Sequence, residues 1–590
     1  MTTSRLSRPI GAFTRNFNAH ERRLVVQVAV IGLVVWAVTF ALKTAVHWVF
    51  DTVIVGVEGL PILALILVPL TLGALGTTVV VLFRSRTIHY RDREGIIHPI
   101  NDVEGDGLER AIALYFASEP AMEQVLLGRA GVDARWDLPT FSLAARKFLA
   151  TLFTLGSGGS GGLEASVTLV GESLAAGVFK PRPQFHLPAD AGYLDRLRRW
   201  WRLTDPDDLQ TAQLAGIAAA VATLLGTPFA GAFFAIEVMY RRRPIIEKLL
   251  FALIAALIAY FMTNLVTGHP LLFKVTITTR PVFTVRYYAV LILMAVIISV
   301  ISILFIRLRA WSEHWFYLKI PNVWVRHVSG ALLTGVAALI AVQLTGQNLA
   351  LVLGTGDSAI EAALLGKLTV GVALVALVGK LVATLATITS GGSAGLLIPS
   401  IYFGTMVAAA LAPITGIPAA ILVVPAMTAS LGALVNVPLA AVLFTVEGFG
   451  SQFMIPGLVV LLVSMLLVHD NNIYRTQRET YDSRQVLPGY SVRRIPVPPE
   501  WAGKTLVDLR VRNRFDLNVI GVIESYLEDG QMRYQVRFNP PLGKPVELGD
   551  TLIVLGEDAK LDALMSSPEV TPAQDGAASG DDDARHTYLR

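Results

Sequence analysis

The chain contains no cysteine, which excludes disulfides, thiol chemistry and cysteine-ligated metal. Charge is scarce as well. Only 16% of the 590 residues are Asp, Glu, Lys or Arg, against about 25% in soluble domains. A chain this poor in charge points to lipid as its solvent. Period-two alternation is missing from the apolar segments, which excludes a closed membrane β-barrel. No small-residue cleavage site follows a short apolar stretch, so no signal peptide is read. Apolar length is abundant instead. Leu24 to Leu42, Leu60 to Leu82, Tyr288 to Phe305 and Ser451 to Val468 carry no charge, and runs of about 18 or more such residues read as bilayer spans.

Charge placement then gives orientation and boundaries. Arg5, Arg8, Arg15, Arg22 and Arg23 precede the first span, against one acid, Glu21, so the N-terminus is expected in the cytoplasm. Residues 1–23 read as a basic arm, 24–470 as a membrane domain and 471–489 as a polar connector. Residues 490–566 carry short β-rich runs: Tyr490 to Val497, Leu517 to Ser525, Tyr534 to Phe538 and Thr551 to Leu555. Glu528-Asp529-Gly530 marks a hairpin turn and Gly549-Asp550 opens the last strand. This predicts a small cytoplasmic α+β domain. Residues 567–590, rich in Ser, Pro, Ala, Gly and Asp, read as disordered. The fold class expected for 24–470 is an all-α polytopic membrane protein with broken helices. The breaks are predicted at Gly226-Thr227-Pro228 and around Pro413, and irregular backbone at membrane depth lines cavities or is buried in protein.

An internal repeat supports a transport site. Ser157-Gly158-Gly159-Ser160-Gly161-Gly162-Leu163 aligns with Ser390-Gly391-Gly392-Ser393-Ala394-Gly395-Leu396, and both segments run on to a glycine, Gly171 and Gly404. Further on, Pro228-Phe229-Ala230 with Phe234 and Glu237 matches Pro438-Leu439-Ala440 with Phe444 and Glu447. Each Ser/Gly loop precedes an apolar helix start. Glycines leave backbone N–H groups open, and a helix N-terminus adds about half a positive charge. Two such ends converging predict an anion site built without lysine or arginine. Close helix packing through small residues is the other reading of one loop alone.

These motifs resemble the CLC family of chloride channels and proton/chloride antiporters over most of 24–480. Gly161-Gly162-Leu163-Glu164-Ala165-Ser166 stands where that family has Gly-Lys/Arg-Glu-Gly-Pro, and Gly395-Leu396-Leu397-Ile398-Pro399 is similar to its Gly-x-Phe-x-Pro element. Val435-Asn436-Val437-Pro438-Leu439-Ala440 and Gly226 to Gly231 are similar to its two Pro-Leu/Phe-Ala elements. Tyr474, in Asn472-Ile473-Tyr474, falls at its pore tyrosine. The resemblance implies inverted-topology repeats, a homodimer with one pathway per subunit, both termini cytoplasmic, a gating role for Glu164, and anion binding at Gly161, Gly162, Gly395, Leu396, Leu397, Ile398 and Tyr474. There are departures. The coordinating serine of Gly-Ser-Gly-Ile-Pro has its best match in Gly105-Asp106-Gly107-Leu108-Glu109, with Asp106 at the serine position. Leu397 replaces an aromatic, and the internal proton-relay Glu of many antiporters falls at Val238. Channel-like or loosely coupled flux is therefore expected before proton-coupled antiport. Ala502 to Leu506, Ile520 to Val522 and Leu548 to Leu552 resemble the RCK-C or TrkA-C domain, which implies dimerisation and sensing of a small ligand or nucleotide.

Several residues carry two readings. Glu164 heads a helix inside an uncharged segment and reads as a gate, or as a buried neutral Glu. Glu237 and Glu447, at matching offsets, read as acceptors for open backbone N–H groups. Tyr474 offers a hydroxyl to an anion or anchors an interface. Ser157, Ser160 and Ser393 coordinate a ligand or cap helices, and Asp106 is an N-cap or faces the pathway. Arg241, Arg242 and Arg243 read as a cytoplasmic interface cluster. Outside transport, Gly158-Gly159-Ser160-Gly161 fits a Gly-x-Ser-Gly nucleophile that would need a histidine such as His327 or His469 nearby. A third reading is a sensor whose membrane part no longer transports. No cofactor, metal or nucleic-acid partner is expected.

Overall fold

The structure, a computed structural model, describes residues 19–91, 97–118, 135, 138–179, 201, 206–240, 246–468 apart from 269, 270, 274, 276, 278, 282 and 283, then 473–474, 476–477, and 485–565 apart from 488, 489, 499, 529, 530 and 549. Most of the basic arm, Arg241 to Arg243, His469, Asn472, nearly all of the connector, the 529–530 turn, Gly549 and the tail after 566 lie outside these residues. The chain forms two compact units, 1–480 and 481–590.

Unit 1 is helical. In order it contains α1 (Ala19–Glu58), α2 (Leu67–Leu82), a hairpin of β1 (Thr87–Arg91) and β2 (Ile97–Asn101), α3 (Gly107–Phe116), α4 (Phe141–Gly156), α5 (Glu164–Phe179), α6 (Pro206–Leu225), α7 (Pro228–Glu237) and α8 (Leu249–Thr267). Then follow α9 (Val285–Lys319), α10 (Val323–Thr345), α11 (Asp357–Leu364), α12 (Val370–Thr389), α13 (Leu397–Thr415), α14 (Ala419–Leu434), α15 (Pro438–Phe449) and α16 (Met454–Val468). Nine spans among the described residues are long and apolar enough to cross a membrane. At 1.5 Å per residue, the 40-residue α1 is about 60 Å long, twice a bilayer core, so it tilts or projects.

Burial separates the helices into two classes. Every residue of the Asp208–Leu225 span is buried inside the protein, whereas α8 and α10 bury about a quarter. The inner helices touch through small residues. Gly171 of α5 sits against Gly216 of α6, where a Cβ would lie 2.5 Å from the Gly216 carbonyl, and Gly404 of α13 sits at the same distance from the Ala426 carbonyl of α14. The two glycines that close the sequence repeat thus both stand at backbone crossings, as small-residue packing in lipid requires.

The Gly226 break occurs as predicted, with Gly226 in the left-handed region (φ +71°) between α6 and α7. The second break differs. Helix α13 continues through Pro413 to Thr415 and stops at Gly416 (φ +67°). A proline in the last turn removes one hydrogen bond, and Gly416 supplies the left-handed cap. The β1–β2 hairpin, inside the stretch read as helical membrane domain, was not anticipated. Thr87 pairs with Asn101, and Ile88 and Tyr90 turn inward.

Unit 2 holds a five-stranded sheet in the order β3-β4-β7-β5-β6, from β3 (Gln485–Leu487), β4 (Tyr490–Pro496), β5 (Asn518–Glu528), β6 (Gln531–Phe538) and β7 (Thr551–Glu557). Helices α17 (Leu506–Leu509), α18 (Val511–Phe515) and α19 (Asp558–Met565) complete it. Its core gathers Ile495, Trp501, Leu517, Leu552 and Leu561. Thr505 and Asp508 form a capping box, and the Thr505 hydroxyl holds the Asp508 carboxyl below its usual range. The short strand β3 escaped the sequence reading.

Candidate functional site

The two Ser/Gly loops meet at the centre of unit 1. Gly162 N–H donates to the Gly395 carbonyl (2.8 Å) and Gly395 N–H to the Gly162 carbonyl (2.6 Å), an antiparallel bridge between the halves. Gly161 N–H donates to the Gly354 carbonyl at 3.2 Å. The amides of these three glycines are therefore engaged by backbone rather than left open. Their lack of side chains serves contact. A Cβ at Gly161 would crowd Ala394, and one at Gly395 would lie 2.8 Å from the Ala165 amide nitrogen. The unpartnered N–H groups lie one step further on. Among the described residues, Leu396 and Leu397 at the start of α13 donate to no protein acceptor, as the first turn of a helix leaves them.

Glu164 begins α5 and is 1% exposed. Its carboxylate folds back over Gly162, where a Cβ would overlap Oε2. Ile398 N–H donates to that oxygen at 3.4 Å, and Oε1 has no partner. Glu164, Gly162, Gly395 and the Leu396-Leu397-Ile398 turn thus form one cluster. It brings the helix starts of both halves against one carboxylate.

Asp106 and Tyr474 form a second cluster. Asp106 caps α3, its Oδ1 accepting from Leu108 N–H at 2.8 Å, which is the N-cap reading. Its Oδ2 faces the Tyr474 hydroxyl at 3.5 Å. Tyr474 is buried, at 2% exposure, so it is no interfacial anchor. A Cβ at Gly107 would overlap the Ala165 carbonyl, so the Asp106 loop abuts the first turn of the Glu164 helix. Val238 lies elsewhere. It ends α7, fully buried, and its carbonyl accepts from Gln477 Nε2 at 2.8 Å.

Two functional candidates escaped the sequence reading. Lys147 and Lys380 are both fully buried. Lys147 Nζ donates to the carbonyls of Val103 (3.0 Å) and Gly105 (2.8 Å). Lys380 Nζ donates to those of Val352 (3.1 Å) and Gly354 (2.6 Å). Gly105 (φ +61°) and Gly354 (φ +63°) share the left-handed backbone that presents these carbonyls. A signal existed, since each lysine stands ten positions ahead of its Ser157 or Ser390. Each half thus brings a buried ammonium to backbone carbonyls, one at Gly105 and one at Gly354.

The serines join the halves. Ser160 N–H donates to Thr387 Oγ1 (3.1 Å) and Ser393 N–H to Thr154 Oγ1 (3.1 Å). Their hydroxyls meet Thr384 (3.2 Å) and Thr151 (2.9 Å). Ser160 Oγ also donates to the Val352 carbonyl at 3.0 Å, whereas His327 bonds Thr78 and faces Glu104. Among the described residues no base meets the Ser160 hydroxyl, and His469 lies outside them, so the described geometry gives the protease reading no support. Glu237 accepts from Leu439 and Ala440 N–H (3.0 and 2.9 Å), and Glu447 from Phe229 and Ala230 N–H (3.1 and 2.8 Å). Each glutamate caps the broken helix of the other half.

Residues 111–469 match the family model for voltage gated chloride channels, and 491–567 match the TrkA-C domain. An H(+)/Cl(−) exchange transporter ClcA of Vibrio parahaemolyticus is 23% identical over 312 residues, 49% of this chain and 64% of that protein. The chain thus spans just under two thirds of that relative. A voltage-gated ClC-type chloride channel ClcB of Citrobacter koseri is 25% identical over 342 residues, 56% of this chain and 74% of its own length. The crystal structure of a CLC-type fluoride/proton antiporter shares the fold, with TM-score 0.59 at 20% identity over 79% of this chain and all of that one. Two Ser/Gly loops bridged head to head, the Glu164 cluster between them and the family match over most of unit 1 lead to one conclusion: this multi-pass membrane chain belongs to the voltage gated chloride channel family and carries a TrkA-C domain after its membrane unit.

Proposed function

We propose that the chain conducts a small inorganic anion across the membrane along the Asp106–Tyr474 and Glu164 clusters, with Glu164 as the gate. The observation that carries this reading is the position of the Glu164 carboxylate. It lies over Gly162 against the first turn of α13, beside the open amides of Leu396 and Leu397. Ionised, it occupies the place an anion needs. Two like charges about 4 Å apart at an effective dielectric of about 20 repel by about 4 kcal/mol, so carboxylate and anion exclude one another. Protonated, the side chain loses its hold on the helix start and leaves. Flux therefore rises as pH falls.

Channel-like or loosely coupled flux is the form favoured here. Val238 offers no carboxylate, and both oxygens of Glu237 are engaged by backbone N–H groups. Proton-coupled antiport is the second reading, favoured by the exchange transporter among the relatives. Chloride is the first anion to test and fluoride the second, since a solved neighbour is described as a fluoride/proton antiporter. The chain is read as a homodimer with both termini cytoplasmic. The TrkA-C domain is read as binding a small cytoplasmic ligand or nucleotide that biases the membrane unit.

Anion and proton flux measured together in liposomes tests the gate. Glu164→Gln should pass anions at a rate independent of pH and without proton movement. Retention of the wild-type pH dependence and proton flux by that variant removes Glu164 as the gate. Protons pumped stoichiometrically by the wild type against a gradient, driven by the anion alone, favour antiport.

A further inference from the structure

A carboxylate beside an anion path needs an account, and the charges around Asp106 supply one. Asp106 is 1% exposed and Lys147 fully buried. Lys147 Nζ donates to the Gly105 carbonyl at 2.8 Å, next to Asp106 in the chain, and its Cε lies 2.9 Å from a Cβ built on Gly107 on the other side. The remaining charges near this loop are satisfied in pairs. Arg309 from α9 donates to Glu109 Oε2 (3.2 Å) and to the Ile473 carbonyl (2.7 Å). Arg110 donates to the carbonyls of Asn101 and Asp106 and lies 3.9 Å from Glu109. Asp102 pairs with Arg146, and Glu104 with Arg326 and His327. Glu164 adjoins Ala165, whose carbonyl abuts Gly107, and Tyr474 from the segment after α16 faces Asp106 Oδ2. Lys147 has two carbonyl acceptors and no carboxylate within ion-pair distance among the described residues. A buried ammonium lacking such a partner is costly and draws a counter-charge.

We propose that Asp106 and Lys147 act as opposed, non-contacting charges operated by a proton at the Tyr474 end of the path, so that each anion held there is accompanied by one proton on Asp106. With Asp106 ionised, its charge offsets that of Lys147 and an arriving anion meets no net attraction. Protonation converts the carboxylate to a neutral acid, with the proton taken from water. The Lys147 charge is then uncovered, and the anion binds beside it and the Tyr474 hydroxyl. Asp106 thereby supplies a titratable group on a different element from Val238. The inference rests on anion transport as proposed above.

The test is chloride binding to the purified full chain, followed by isothermal titration calorimetry across pH. A Glu164→Gln background removes the gate's own titration. In that background the dissociation constant should fall up to tenfold per pH unit of acidification while Asp106 titrates, the slope for one linked proton. Adding Asp106→Asn, which keeps the helix cap, should give tight binding without a pH slope on the acid side of neutrality, where Lys147 stays charged. Adding Lys147→Gln, which keeps a donor for the carbonyls, should give weak binding throughout, and Lys147→Arg should restore it. An unchanged pH slope in the Asp106→Asn protein overturns the proposal by itself, as does binding in the Glu164→Gln protein with no slope. Absence of chloride binding and of flux from every variant removes the transport reading beneath it.

Discussion

A methyl group at Gly162 would overlap Glu164 Oε2, with Glu164 Cδ at 3.1 Å and Pro399 Cδ at 3.2 Å the next atoms. The clash falls on the free end of a flexible side chain, and Gly162 is not in the left-handed region, so the backbone accepts alanine. Gly162→Ala should therefore fold and hold the carboxylate away from its resting place. Anion flux at neutral pH is expected to rise toward that of Glu164→Gln, with the acid dependence flattened. Gly395→Ala is the contrast, because its Cβ meets the Ala165 backbone nitrogen at 2.8 Å and backbone cannot swing away. That variant should lose thermal stability and flux together. Glu164 was legible in the sequence as a lone carboxylate at a helix start. Lys147 and Lys380 were not, because a single lysine in an amphipathic stretch reads as a surface group until the carbonyls that receive it are brought to it from forty-odd and twenty-odd positions away.

At the scale of elements, the halves are held by reciprocal caps. Glu237→Ala would leave the N–H groups of Leu439 and Ala440 without their acceptor, and the buried Ala440 group alone costs about 1–3 kcal/mol. A clear fall in melting temperature is expected, read by tryptophan fluorescence or calorimetry in detergent, with the pH dependence of residual flux unchanged. A change of pH profile at constant stability would instead give Glu237 a role in proton movement. The Arg135–Glu172 pair is a lock within the first half. It is bidentate at 2.7 and 3.1 Å, and Gln213 donates to Glu172 at 2.7 Å. Both side chains are buried, so Arg135→Ala should destabilise by about 3–5 kcal/mol by stranding a charge. The sequence repeat announced which elements correspond. It did not announce that Ser160 and Ser393 reach across to Thr387 and Thr154, because a serine beside glycine is equally suited to cap its own helix.

For the whole molecule, the predictions concern assembly, orientation and control. The full chain in mild detergent should run as a dimer by light scattering; a monodisperse, transporting monomer would remove the dimer. With no native cysteine, single cysteines at Ser4 and Ser579 should be labelled only by reagents that reach the cytoplasm. Labelling of either from outside sealed cells would defeat the orientation. Ending the chain after Arg484 removes the TrkA-C domain and should alter the response of flux to cytosolic small molecules. A ligand can shift the transport equilibrium only through different affinities for its two states, so unchanged flux with every extract would leave the domain without control over the membrane unit.

The sequence by itself determined the solvent, through apolar runs and scarce charge, and the two-fold internal order, through the paired Ser/Gly loops and paired Pro-Phe/Leu-Ala segments. It also determined the class of the second unit, where four of five strands follow from β-rich runs between turn residues. These are local properties, written in composition and period. What only the tertiary structure decided is which polar groups remain free. Glycine amides that looked open are closed by the opposite loop, and the free donors fall on Leu396 and Leu397 instead. Glu237 and Glu447 are engaged, Tyr474 is turned inward to Asp106, and two lysines are buried among carbonyls. A hydrogen bond between residues more than two hundred positions apart leaves no periodic trace in the chain, so the availability of each group at the site follows from the packing of one half against the other.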